Sequence, residues 1–169
     1  MSQSAESPPP DRPDGLGRLT AEVRELADRL EIIGLLDRYA AAIDTKSWAG
    51  LDLVFTPDAV LDYSSVGGPV GVFPVVRGWL ESVLTDVPLL QHYVSGAIID
   101  IAGDEAHGRC NLFNPMGTAD GDGVQVRAVG GLYHDRFVWT EKGWRIAHRR
   151  MERRWSVDLG RAVALPPGP

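Results

Sequence analysis

The stretch Leu35–Tyr63, LLDRYAAAIDTKSWAGLDLVFTPDAVLDY, decides how the rest of the chain is read. Its first half continues an apolar series at three- and four-residue steps, the period of an amphipathic helix. The series is Leu19, Val23, Leu26, Leu30, Ile33, Leu36, Ala40 and Ile43. It starts at Arg18 and is interrupted only by Gly34, a kink or close-packing point. The pattern stops at Asp44–Ser47, and a short helix is expected over Trp48–Phe55. Thr56-Pro57 ends that helix, because a residue before proline is pushed out of the α region. Ala59–Tyr63 then reads as a short strand.

Downstream lies a glycine-rich loop, Gly67–Gly71, with neither the Walker nor the dinucleotide spacing of a phosphate cradle. Pro74–Asp86 is expected to be helical, with Val76, Trp79, Leu80 and Val83 on one side. After Pro88 the chain turns β-like. The expected strands are Leu90–Ile101, Glu105–Phe113, Val124–Thr140 and Trp144–Trp155. Between them stand the turn signals Ala102-Gly103-Asp104, Ala119 to Gly123, and Glu141-Lys142-Gly143. Helices first and long strands last is an α+β order, not the alternation of a parallel sheet. The expectation is a cone-shaped barrel: a curved antiparallel sheet wrapped around N-terminal helices, with a pocket between the layers.

The chain has 169 residues, one domain's worth. Its 17 Lys+Arg against 23 Asp+Glu give a net charge of −6, which argues against nucleic-acid or anionic-membrane partners. A single cysteine, Cys110, leaves no disulfide framework and no CxxC motif; it reads as a small buried residue. No apolar run is long enough to span a membrane. Residues 1–17 hold Pro8, Pro9, Pro10 and Pro13 and little apolar surface, so they are expected to be a disordered tail. Residues 156–169, ending LPPGP, are expected to be a second tail, leaving 18–155 as the domain. The N-terminus lacks the apolar core of a secretory signal, so a cytoplasmic location is expected.

Three stretches carry a family resemblance: Leu35–Tyr63 as quoted, LLQHYVSG at 89–96, and GLYHDRFVWTEKGWRIAHRRMERRW at 131–155. Together they resemble the SnoaL-like group of the nuclear-transport-factor-2-like superfamily. Within it the chain is most similar to the bile-acid 7α-dehydratase and scytalone dehydratase type. The resemblance implies a catalytic set of Tyr39, Asp44, Tyr63 and His92, and a substrate-binding Arg153. It departs at Asn114, where the bile-acid enzyme has an aspartate. It departs again at Met116 and Arg136, where scytalone dehydratase has a histidine and an asparagine. Those three positions, with Arg153, are expected to contact substrate.

The implied activity is a cofactor-independent lyase or isomerase of dehydratase type, acting on a hydrophobic cyclic, polyketide- or steroid-like carbonyl compound. A neutral imidazole can take a proton at neutral pH and return it. A carboxylate on its other nitrogen fixes the tautomer and stabilises the imidazolium. Phenols such as Tyr39 and Tyr63 can donate to a developing enolate oxygen. No metal or organic cofactor is needed, and no two histidines have zinc-site spacing.

Each residue has a structural alternative. Tyr39 and Tyr63 also suit a core with satisfied hydroxyls, Asp44 a helix end, and His92 a strand entrance. Arg145, Arg149, Arg150, Arg153 and Arg154 read as a solvated strand face, with Arg153 able to reach a pocket mouth. His107 and His148 read as solvent-facing, and at most one of His134 and Asp135 can face the interior. The same scaffold also serves aldol-type polyketide cyclases, epoxide hydrolases with an Asp–Arg–Asp set, and non-catalytic ligand-binding modules. The hydrolase set is disfavoured because Arg109 is followed by Cys110 and Asn111, with no acid. Apolar strands carrying Trp139, Trp144 and Trp155 point to a homo-oligomer, a trimer or dimer, with the trimer favoured by the resemblance.

Overall fold

The computed structural model describes residues 15–162. In chain order the elements are helix α1 (Gly15–Asp44), a 3-10 turn (Trp48–Leu53), strand β1 (Phe55–Asp62) and a second 3-10 turn (Ser64–Val66). Strand β2 (Val70–Val72) and helix α2 (Phe73–Leu84) follow, then β3 (Leu89–Leu90), β4 (Tyr93–Ala102), β5 (Glu105–Asp120), β6 (Gly123–Thr140) and β7 (Gly143–Ala162). The α+β class and the helix-first order are as expected.

The strands form one curved sheet in the order β2-β1-β7-β6-β5-β3, with β4 also paired to β5. Its ends are not joined, so the cone is open and the helices cover its inner face. The sheet is mixed, which corrects the antiparallel expectation: β1 runs parallel to β7, through Phe55↔Ile146 and Val60↔His148 to Asp62↔Arg150. Periodicity reports a strand's faces but not its neighbour, so this pairing left no mark in the sequence. Thr56 and Pro57 lie inside β1 rather than before it, at the register shift between Phe55 and Val60. A proline without an N–H is tolerated at such a bulge.

β7 continues to Ala162, pairing Val126↔Gly160 and Val124↔Ala162 with β6, so the expected tail from residue 156 is strand over its first seven residues. Helix α1 likewise includes Gly15–Gly17. The expected disorder of residues 1–14 and 163–169 lies outside the described residues. At the bend of β6, Gly130 sits where a Cβ would collide with the Trp155 indole, and the register shifts between Gly130 and Gly131. At Gly131 a Cβ would run into the Glu152 carbonyl oxygen of β7, so the strand backbone itself leaves no room for a side chain there. None of the described helices is long and apolar enough to cross a membrane.

The core gathers under the C-terminal half of α1: Ile32, Leu35, Leu36, Tyr39, Ala42 and Ile43 pack with Leu51, Phe55, Leu61, Val76, Tyr133, Phe137 and Ile146. Trp144 is buried, not a surface tryptophan; its indole N–H donates to Asp28 Oδ1 (3.0 Å) and its backbone N–H to Glu31 Oε1 (3.0 Å). Trp139 and Trp155 are the exposed members of the expected apolar surface. The α1 series needs a larger correction, because Leu19, Val23, Leu26, Leu30 and Ile33 are exposed. Three-and-four spacing drifts round a helix of 3.6 residues per turn, so by Ile43 the series has turned about 120° from Leu19, onto the side that packs on the body.

Candidate active site

Helix α1 ends in a Schellman motif: Lys46 N–H donates to Ile43 C=O (3.0 Å) and Ser47 N–H to Ala42 C=O (2.8 Å). The αL position is Lys46 (φ 56°), where glycine is usual. Its ammonium donates to the carbonyls of Thr85 (2.5 Å) and Val87 (3.0 Å), tying the helix end to the chain leading into β3. This brings Asp44 against the segment between β3 and β4 that carries His92.

The carboxylate of Asp44 grips His92 twice. Oδ2 accepts the His92 backbone N–H at 2.8 Å, and Oδ1 lies 2.6 Å from Nδ1. An ionised carboxylate only accepts, so Nδ1 carries the proton and Nε2 keeps the free lone pair. Asn114 Nδ2 donates to Gln91 C=O at 2.8 Å, and its 3.3 Å approach to Nδ1 is the weaker contact. Asp44 therefore binds the His92 segment rather than capping its own helix.

A cavity of about 500 Å³ opens between α2 and the inner face of the sheet. His92, Tyr39, Tyr63, Asn114, Met116 and Arg153 all line it. The Tyr39 and Tyr63 hydroxyls are 2.7 Å apart, and Tyr133 Oη is 3.4 Å from Tyr39 Oη. The Tyr39 ring stands edge-on to His92, with centroids 6.1 Å apart. Trp79 and Leu80 of α2, with Met151 and Val129 from the sheet, supply apolar wall. Gly68 lets the Trp79 indole sit against the chain beside Tyr63, since a Cβ there would meet it at 2.6 Å. The mouth carries exposed Arg127 and Arg153.

Beneath the tyrosines lies Arg149, fully buried. Its Nε and Nη2 donate to Asp135 Oδ1 (2.8 Å) and Oδ2 (2.7 Å), and its guanidinium lies 4.2 Å from the Tyr39 ring centroid and 4.0 Å from that of Tyr133. Burial would pull the Arg149 pKa down, but the Asp135 charge and hydrogen bonds outweigh it and hold it well above the ordinary value. Burial pushes the phenols of Tyr39, Tyr63 and Tyr133 well above theirs, and the Arg149 charge opposes the rise. The three phenols are thus donors at neutral pH, not bases. Burial also pushes the Cys110 thiol up to about 12. That leaves it no nucleophilic character.

Arg136 is the expected site residue that the structure places elsewhere. It ion-pairs with Glu105 (3.3 Å) in a shallow depression on the outer sheet face, beside His107, Arg109, His134 and His148. Neighbouring strand residues point to opposite faces, so Asp135 faces inward and Arg136 cannot. Arg149 and Asp135, opposite each other in the β6–β7 register, are the site residues that sequence reasoning missed. Alternation already put Arg149 on the same side as Met151 and Arg153, but five arginines in a short run looked like a solvated face. The Arg149–Asp135 pair has no second carboxylate on the arginine among the described residues, so an Asp–Arg–Asp set is not assembled.

A model of the SnoaL-like domain matches residues 24–150. An uncharacterized protein of Mycobacterium tuberculosis is 44% identical over 134 residues, covering 79% of this chain and 90% of that one. A hexachlorocyclohexane dehydrochlorinase of type 2 superposes with TM-score 0.75 at 17% identity, over 87% of this chain and 99% of that one. A candidate scytalone dehydratase of Novosphingobium aromaticivorans gives TM-score 0.71 at 19% identity, over 86% and 96%. At those identities the two structures establish the shared fold.

Proposed function

The chain belongs to the SnoaL-like domain family, and from that premise we propose that it is a cofactor-independent lyase of dehydratase type acting on a hydrophobic cyclic β-hydroxy ketone. The observation that carries the reading is one cavity lined by a histidine and by two phenols whose hydroxyls meet, with the Asp44 carboxylate bound to that histidine from behind the cavity wall. A carboxylate that fixes the tautomer of a cavity-lining histidine supports a base over a passive wall. The two similar structures, a dehydrochlorinase and a candidate dehydratase by description, fit a reaction that removes a proton and a leaving group from neighbouring carbons.

In this reading the ketone oxygen sits at the Tyr39–Tyr63 pair. One hydroxyl donates to the other, and the second keeps its own proton for the substrate. His92 Nε2 takes the proton from the carbon beside the carbonyl, and the electron pair moves to the carbonyl oxygen as an enolate. The phenols and the positive Arg149 beneath them favour that charge in a water-poor site. As the enolate collapses, the β-hydroxyl leaves and takes the proton from the imidazolium, giving an enone and water. Asp44 stabilises the imidazolium between the two steps. The apolar wall of Trp79, Leu80 and Val129 suits fused rings, and Arg153 at the mouth can hold an acidic substituent on them.

The test is turnover of polycyclic β-hydroxy ketones, such as hydroxylated oxosteroids, followed by the ultraviolet absorbance of the enone. Saturable turnover that falls roughly 10²–10⁴-fold in His92→Ala supports the mechanism. Saturable binding with no turnover across the panel would make the protein a binding module instead.

A further inference from the structure

The N-terminal part of α1 carries a second apolar face that the domain does not use. Leu16, Leu19, Val23, Leu26, Leu30 and Ile33 are between 37% and 73% exposed. Their spacing is three, four, three, four, three, the a/d seam of a coiled coil, with Leu16, Val23 and Leu30 at a and Leu19, Leu26 and Ile33 at d. In the same heptads Asp28 and Leu35 occupy f, the position opposite the seam. Those are residues that hold the helix to the body, Asp28 through Trp144 and Leu35 through the core. The seam therefore faces away from the domain, and nothing among the described residues covers it.

We propose that this seam binds the same seam of a second copy of the chain, as an antiparallel helix pair. The sequence is self-complementary in that direction. Leu16 of one chain meets Ile33 of the other, Leu19 meets Leu30, and Val23 meets Leu26, so every a residue faces a d residue. The flanking g positions are Glu22 and Arg29, which in antiparallel coils face one another across the seam. Glu22 of each chain then meets Arg29 of the other, giving two opposite-charge pairs. Parallel pairing would instead set Glu22 against Ala27 and Arg29 against Gly34, with no charge compensated. Among the described residues Glu22 pairs with Arg18 (2.9 Å), and Arg29 with Glu25 (3.2 Å) and with the Ile99 carbonyl of β4 (2.8 Å).

A second copy fits better than a lipid surface. Residues 15–31 hold Arg18, Arg24 and Arg29 against Glu22, Glu25, Asp28 and Glu31, an acidic excess on a chain of net charge −6. A helix that lies on anionic membranes carries the opposite balance. The helix is also already formed and anchored by its C-terminal half, so pairing orders little that is not ordered.

Multi-angle light scattering on the full chain at tens of micromolar should give twice the 18.4 kDa chain mass. Leu19→Glu/Leu26→Glu should give the single-chain mass with unchanged circular dichroism, because both side chains are exposed. Glu22→Arg, which puts like charges across the seam, should raise the dimer dissociation constant about tenfold, the upper range for such charge changes. A mixture of Leu19→Cys and Leu30→Cys chains should cross-link on mild oxidation, while Leu19→Cys alone should not. Cys110 is buried and does not compete. A single-chain mass for the unaltered protein overturns the proposal, and so does dimer mass retained in Leu19→Glu/Leu26→Glu. Cross-linking of Leu19→Cys alone overturns the antiparallel register. Co-sedimentation of an unaltered single chain with phosphatidylglycerol vesicles assigns the face to membranes.

Discussion

Asp44 binds His92 through both carboxylate oxygens, one on the ring Nδ1 and one on the backbone N–H. The second contact fixes where the ring starts, and the first fixes its tautomer. Asp44→Asn separates the two, since an amide oxygen can keep the backbone bond while its NH2 group faces Nδ1 and moves the ring proton to Nε2. Turnover should then fall by about the general-base factor, roughly 10²–10⁴-fold. The thermal midpoint should stay close to that of the unaltered chain. Asp44→Ala should lower both. An Asp44→Asn enzyme of near-normal activity would show that the carboxylate is structural.

Tyr39→Phe and Tyr63→Phe should each cost less than His92→Ala, because the remaining phenol still donates to the substrate oxygen. Removing both should cost about 10²–10³-fold, the usual worth of an oxyanion donor. Steady-state kinetics on the three variants, with folding checked by circular dichroism, decides the point. Equal losses in both single variants and the double variant would mean that the pair acts as one unit.

The Arg149–Asp135 pair is fully buried, so removing one partner strands a charge in the core. Asp135→Asn should destabilise the domain by about 3–5 kcal/mol, read from urea midpoints. Replacing both, as Arg149→Met/Asp135→Leu, should recover much of that loss, because no uncompensated charge remains. Turnover should not recover with it if the Arg149 charge supports the enolate.

Alkaline pH should unfold the domain in a way the buried phenols dictate. Tyr39, Tyr63 and Tyr133 bind their protons more tightly folded than unfolded. Their stabilising effect is complete below the unfolded phenol value of about 10, and is lost as pH rises above it. Above pH 10 the unfolded chain binds fewer protons, so stability falls by up to about 1.4 kcal/mol per pH unit for each tyrosine. Urea midpoints between roughly pH 9 and 11 should show this slope, and Tyr133→Phe should remove about a third of it.

The grouping of Tyr39, Asp44, Tyr63 and His92 was implied by the family resemblance; what Leu35–Tyr63 by itself determined were the helix end at Asp44 and the strand leading to Tyr63. Those features follow from period, turn chemistry and residue type, all local properties. Three decisions belonged to the tertiary structure. The parallel β1–β7 pairing depends on which strands meet, which alternation within a strand does not encode. The burial of Arg149 depends on Asp135 standing opposite it in the β6–β7 register. A charged residue goes inside only where a partner offsets its desolvation, and that partner lies 14 residues away. The double face of α1 depends on where the body ends. The apolar series supplied core at Leu36 and Ile43, whose side of the helix meets the body, and a free seam from Leu19 to Ile33, whose side does not, because periodicity reports an apolar stripe but not what packs on it.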